Sequence, residues 1–235
     1  MTDTDGPATG SADCFDLAVR AYLRRHPLAT VVALGEGLGT GFWRLDNGSL
    51  EWLTVELPEA AAMRRILMPD GPRRRTIACP AAGTDWPSAV RAPEHGVVVV
   101  ARGLLMFLPP PGVRALLAVC AERFPGGALV FDTVPRRCAG RAGPRGGAAT
   151  ERDAPPLLWG MDAADRPKLA SAHPNIVAVR EVPPPDRGPL AGRLARWRGR
   201  VPLLRSAAPA VTEIRFGRPG SAPADPERAA GRRSR

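Results

Sequence analysis

The stretch "VVALGEGLGTGFWRLDNG", Val31 to Gly48, places Gly35, Glu36, Gly37, Leu38 and Gly39 directly after an apolar run. Glycine serves where backbone turns with positive φ, or where a ligand approaches the chain closely. A strand that ends in such a loop, with a helix beginning behind it, presents backbone N–H groups to a nucleotide. About 20 positions further on stands an acidic residue, Glu56, at the end of a second apolar run. Its carboxylate can accept hydrogen bonds from both ribose hydroxyls of an adenosine. The third glycine of a dinucleotide loop is absent, because Thr40 stands in its place. Spacing alone therefore does not choose the nucleotide.

Other residues with chemical potential are few, and each has a structural reading beside it. His26 closes an N-terminal helix, His95 precedes the fourth strand, and His173 stands before "PNI"; none is read as a catalytic base. Asp132 ends the fifth strand, on the edge where ligands gather in open α/β sheets. Asp85 is either an acceptor for an adenine amino group or a helix N-cap. Trp43 and Arg44 either seat the first helix or, for Arg44, touch a cofactor. Trp86 either packs over the third strand's helix or borders adenine, and Trp159 and Met161 are candidate walls of an acceptor pocket. Cys14, Cys79, Cys120 and Cys138 share no C-x-x-C spacing, which argues against zinc and fits a reducing cytoplasm.

These residues need a scaffold, and the hydrophobic pattern supplies one. Thr30–Leu34, Leu50–Val55, Arg75–Cys79, Gly96–Ala101 and Ala128–Thr133 read as strands, the continuous aliphatic runs suiting strands covered on both faces. Between them, Pro58 and Glu59 open a helix that Arg64 and Arg65 close. Val113, Leu116, Leu117, Cys120 and Phe124 recur at helical spacing until "PGG" stops them. Such alternation predicts an open, mostly parallel sheet with helices on both faces. Two further strands follow, in Pro174–Val182 and Val211–Phe216, separated by a basic amphipathic stretch with Leu190, Leu194 and Trp197. It reads first as a surface helix. Residues 1–11 and 218–235 are expected to be disordered, with one domain over 12–217.

Composition limits the classes. The chain has 235 residues, 44% of them hydrophobic, enough for one domain with a full core. The net charge of +10 invites a nucleic-acid reading. However, Lys168 is the sole lysine, and the arginines cluster in expected loops and the tail, so solvated loops explain the charge better than specific nucleic-acid binding. The acidic N-terminus does not read as a secretory signal, no membrane span is expected, and the cytoplasm is the expected compartment.

Order then adds what spacing lacks. The stretch "VVALGEGLGTGFWRLDNGSLEWLTVELPEAAAMRR" is followed by "RTIACPAAGTDW", "VVVVARGLLMFL", "RFPGGALVFDTVPR", "LLWGMDAADRPKLASAHPNI" and "VTEIRFG". Over roughly Phe15 to Gly217 this series resembles the leucine carboxyl methyltransferase-like family of S-adenosylmethionine-dependent methyltransferases, above all its polyketide O-methyltransferase-like branch. The resemblance implies a class I methyltransferase: a Rossmann-like three-layer α/β sandwich around a mostly parallel seven-stranded sheet, order 3-2-1-4-5-7-6, with the last strand antiparallel. It implies that Gly35, Glu36, Gly37 and Leu38 line the methionine and ribose side of S-adenosylmethionine. Glu56 and Leu57 fall at the ribose position, Pro80 and Ala81 at adenine, and Arg102 and Gly103 at the amino-acid end.

Three positions depart from that family. Gly39 replaces an Asp, Pro80 an Asp or Ser, and Arg102 a Glu or Gln. A guanidinium at position 102 repels the cofactor's ammonium and sulfonium unless it turns to the carboxylate. Two outcomes stay open: Arg102 clamps the carboxylate, or it fills the pocket, paired with Glu36 or Asp132. The implied function is O-methylation of a small-molecule carboxylate or hydroxyl. The alternative is a degenerate relative that binds cofactor weakly and serves as an interaction module, and the shared direction of the departures leans toward weak binding. A nicotinamide-dependent oxidoreductase ranks third. A homo-oligomer or a partner covering the pocket is the expected answer to a short N-terminal segment.

Overall fold

The aliphatic runs become strands with little or no exposed surface. In a computed structural model, which describes residues 9–141, 155–183 and 210–217, β1 (Thr30–Leu34) and β5 (Ala128–Thr133) are buried at every position. The other strands are β2 (Glu51–Glu56), β3 (Arg74–Ala78), β4 (Val97–Ala101), β6 (Ile176–Glu181) and β7 (Ala210–Phe216). They form one sheet of order β3-β2-β1-β4-β5-β7-β6, the order that the resemblance implies. The first five strands are parallel, and β7 runs antiparallel to both β5 and β6.

Helices cover both faces. α1 (Thr9–Leu23) and the short α2 (Gly41–Leu45) lie on one, where Phe15, Val19, Tyr22, Phe42 and Leu45 pack on Val31, Ala33 and Val98. On the other, α4 (Pro110–Arg123) buries Val113, Leu116, Leu117 and Cys120 against Val32, Val99, Leu129 and Phe131. The alternation of strand side chains between faces divides these two cores. α3 (Pro58–Leu67) begins with Pro at its first turn and buries only Ala61 and Arg64. The segment Ala163–Ala172 is a run of 3₁₀ turns, with Pro167 inside it removing a donor. α1 begins at Thr9, inside the segment 1–11 expected to be disordered. Residues 218–235 and the basic stretch around Trp197 lie outside the described residues. Among the described residues no helix is long and apolar enough to cross a membrane.

Register decides what meets at the carboxyl edge. Leu34 pairs with Val55, and Ala33 with Val100, so Gly35 emerges beside Glu56 on one side and the end of β4 on the other. Ala101 pairs with Phe131, which sets Arg102 next to Asp132. Residues far apart in sequence thus share one rim, by strand alignment alone.

An ion pair fastens α2 to the approach of β3. Both oxygens of Asp46 accept from Arg73, at 2.6 and 2.8 Å, and Asp46 also accepts the N–H of Gly48. Arg73 holds the Asp46 carboxyl down to about 2, from an ordinary 3.8. A carboxylate depressed in the folded state contributes stability above its unfolded pKa and loses it as pH falls through the folded one. Wild type is therefore expected to be slightly more stable than Asp46→Asn at about pH 5 and to lose that margin by about pH 2. Urea midpoints of both proteins across that range check it, and the partial exposure of the pair keeps the effect small.

Candidate functional site

The loop leaving β1 is held by its own side chain. Gly35 and Gly37 have φ of +62° and +59°, the left-handed region that glycine enters without a Cβ penalty. Glu36 turns beneath the loop. Its carboxylate accepts from the Gly41 N–H at 3.0 Å, Trp52 Nε1 at 3.2 Å, the Thr54 hydroxyl at 3.4 Å and Arg64 at 3.1 Å. Burial raises the Glu36 pKa, against the opposing pull of Arg64 and the other donors. Four donors thus claim the carboxylate oxygens, while the Glu36 side chain contributes to the wall of the cavity under α1.

Gly39, where the family has Asp, follows from this arrangement. A Cβ there would lie 2.5 Å from Glu36 Cγ, and one at Gly41 would lie 2.7 Å from both Glu36 Oε1 and Trp52. The two glycines make room for an inward carboxylate. By contrast, a Cβ at Gly37 meets nothing within 4 Å, so the loop's crest is open to a ligand.

Arg64 lies in the last turn of α3, as expected, and has a second role. Read as a helix-end charge, it is 1% exposed and reaches from α3 under the loop. It donates to the carbonyls of Gly37 and Gly39 as well as to Glu36. The signal was present, since Arg64 follows the buried Ala61 by three positions and so shares its helix face. Glu56 completes the support: its Oε1 accepts the Gly37 N–H at 2.5 Å, and the side chain is buried at the end of β2. One carboxylate oxygen thus braces the loop crest.

A cavity opens between the loop and α1, with Phe15, Asp16, Gly35, Glu36, Arg44 and Arg102 among its walls. Asp16 takes a two-toothed grip from Arg44, at 2.8 and 3.1 Å, and Arg102 stands 3.6 Å away. The Arg102 guanidinium also lies over the Phe15 ring, 4.7 Å from its centre. Its pKa is lowered by burial, against the charge of Asp16. The expected pairing of Arg102 with Glu36 or Asp132 is therefore corrected; the ion pair runs to Asp16 on α1. No sequence signal marked Asp16, because nothing in spacing says which face of α1 meets β4.

The remaining expected residues divide between the rim and the core. Gly103 donates its N–H to Asp132 at 2.6 Å, and burial raises the Asp132 pKa. Leu38 and Leu57 are exposed at the rim. Exposed Pro80 begins a tight turn closed by the Gly83 N–H on its carbonyl, and Ala81 accepts from Trp86 Nε1 at 3.1 Å. Trp86 is buried against Phe124, so it packs as the structural reading holds. Asp85 makes no side-chain cap. Met161 is a core residue rather than a pocket wall, while Trp159 is half-buried beside Phe131. All three histidines sit toward the amino ends of strands: His26 beside Gly96, His95 just ahead of β4, and His173 before β6, 3.3 Å from Glu122. The carboxyl rim has none of them.

Comparisons with known proteins agree with this architecture. No family model matches the chain. It is 31% identical over 114 residues to the tetracenomycin polyketide synthesis O-methyltransferase TcmP of Streptomyces glaucescens, covering 48% of this chain and 42% of that one. It is 30% identical over 149 residues to a putative S-adenosyl-L-methionine-dependent methyltransferase of Mycobacteroides abscessus, covering 56% and 47%. The matches thus span less than half the length of either relative. They bear out the resemblance read in the sequence. Among solved structures, the methyltransferase domain of bacterial CtHen1 superposes with a TM-score of 0.54 at 13% identity, over 88% of this chain and all of that domain. That likeness concerns the fold.

Proposed function

We propose that this chain, which has the class I methyltransferase fold and sequence similarity to a polyketide O-methyltransferase, binds S-adenosylmethionine at the rim of β1, β2 and β4 and methylates an oxygen of a small molecule. One observation carries the reading. The positive-φ glycine loop and Glu56 meet at the carboxyl edge, the loop crest open and the carboxylate bracing it from below. When bound, the cofactor supplies an electrophilic methyl on a sulfonium. The residues here fit it: Gly35, Gly37 and Leu38 for its central portion, Glu56 and Leu57 for the ribose, Pro80 and Ala81 for adenine, and Arg102 and Gly103 for the amino-acid end. Gly39 no longer counts against it, since the glycine answers to Glu36.

Transfer to oxygen needs placement of the acceptor in line with the methyl group, and exclusion of water. A carboxylate acceptor needs no base, and a hydroxyl gains from one. Neither relative favours the degenerate, non-binding alternative. Calorimetric titration with S-adenosylhomocysteine and with NAD tests the reading. Saturable binding of the first alone supports it. Binding of NAD alone would return the oxidoreductase, and binding of neither would return the degenerate module.

A further inference from the structure

Beside Arg102 stand two further charged groups, Asp16 on α1 and Arg44. Arg44, Asp16 and Arg102 line one cavity with the glycine loop, and their side chains are 38%, 19% and 37% exposed. Resting on the proposed cofactor reading, we infer that Asp16 and Arg102 form a receptor for an α-amino acid zwitterion, Asp16 taking the ammonium and Arg102 the carboxylate of the cofactor's methionine end.

The geometry selects a zwitterion over a simple ion. A lone anion approaching Arg102 meets the Asp16 carboxylate at its side. A lone cation approaching Asp16 meets two guanidinium groups. The ammonium and carboxylate of an α-amino acid are fixed about 3 Å apart by covalent geometry, close to the 3.6 Å between Arg102 and Asp16. The two dipoles then dock antiparallel, each charge beside its opposite. Arg44 grips Asp16 with two hydrogen bonds, so Asp16 stays in place when Arg102 shifts toward a ligand. Phe15, Val19 and Ala33 form apolar walls of the same cavity, which weakens screening by water. The cavity's other carboxylate is already matched, because Glu36 is bound to Arg64. α1 thereby becomes part of the binding site, and the arginine that departs from the family at position 102 acquires a partner of reversed sign on the helix that covers it.

Calorimetry with four ligands tests this: S-adenosylhomocysteine, 5′-methylthioadenosine, and the analogues of S-adenosylhomocysteine lacking either the amino or the carboxyl group. Wild type is expected to bind S-adenosylhomocysteine at least tenfold tighter than 5′-methylthioadenosine, which has no amino-acid end. Asp16→Asn and Arg102→Gln are each expected to weaken S-adenosylhomocysteine about tenfold, with 5′-methylthioadenosine unchanged as the measure of an intact fold. The Asp16→Asn loss should vanish with the deamino analogue, and the Arg102→Gln loss with the decarboxy analogue. Tighter binding by Asp16→Asn, or by Arg102→Gln, would overturn the receptor and make that side chain a competitor for the site. Equal wild-type affinity for S-adenosylhomocysteine and 5′-methylthioadenosine overturns the receptor alone. Failure of both to bind wild type overturns the cofactor reading together with it.

Discussion

Arg64→Met is expected to lower the unfolding free energy by about 3–5 kcal/mol, the cost of removing one partner from a buried ion pair. The substitution keeps an apolar stem of similar length but leaves the Glu36 carboxylate without its cation and the carbonyls of Gly37 and Gly39 without their donor. Arg64→Lys is expected to recover only part of the loss. An ammonium cannot reach two carbonyls and a carboxylate in one planar arrangement, as a guanidinium does. Pairing Arg64→Met with Glu36→Gln should cost less than the sum of the two singles, because the double variant leaves no uncompensated charge. Urea unfolding of the four proteins measures the coupling. A loss under about 1 kcal/mol in Arg64→Met would mean that the arginine is an incidental neighbour of the loop.

Glu56→Ala is expected to weaken S-adenosylhomocysteine binding by about tenfold or more, in a protein that keeps its fold. A charge-assisted hydrogen bond is worth about 1.5–3 kcal/mol, and tenfold corresponds to about 1.4 kcal/mol. Two losses combine in this variant. The ribose hydroxyls lose their acceptor, and the Gly37 N–H loses the carboxylate oxygen that fixes the loop crest. Glu56→Gln separates them: its amide oxygen still accepts from Gly37, so it should retain part of the affinity lost in the alanine variant. Calorimetry reads both, with circular dichroism as the check on fold. Unchanged affinity in a folded Glu56→Ala protein would remove Glu56 from the site.

The sequence by itself determined the sheet. Runs such as Val31–Leu34, Val97–Ala101 and Ala128–Phe131 are apolar at successive positions, and only a strand covered on both faces buries such a run completely. The glycines of the loop were equally legible, because positive φ is a local property that a single residue type accommodates. Glu56 could be found by its distance from the loop along the chain, since one short helix and the strand it ends lie between them. What the sequence could not determine was the partner of each charge. Glu36 reads as a rim residue until Gly39 and Gly41 are seen to clear space for it and Arg64 to reach it from α3. Arg102 reads as an intruder until Asp16 meets it from a helix 86 positions earlier in the numbering, roughly a third of the chain away. Burial is written in local pattern, because hydrophobic periodicity follows the geometry of one element. Ion pairing is not: Coulomb attraction acts between side chains brought within a few ångströms by packing, and only the docking of α1 and α3 on the sheet decided which carboxylate each arginine would face.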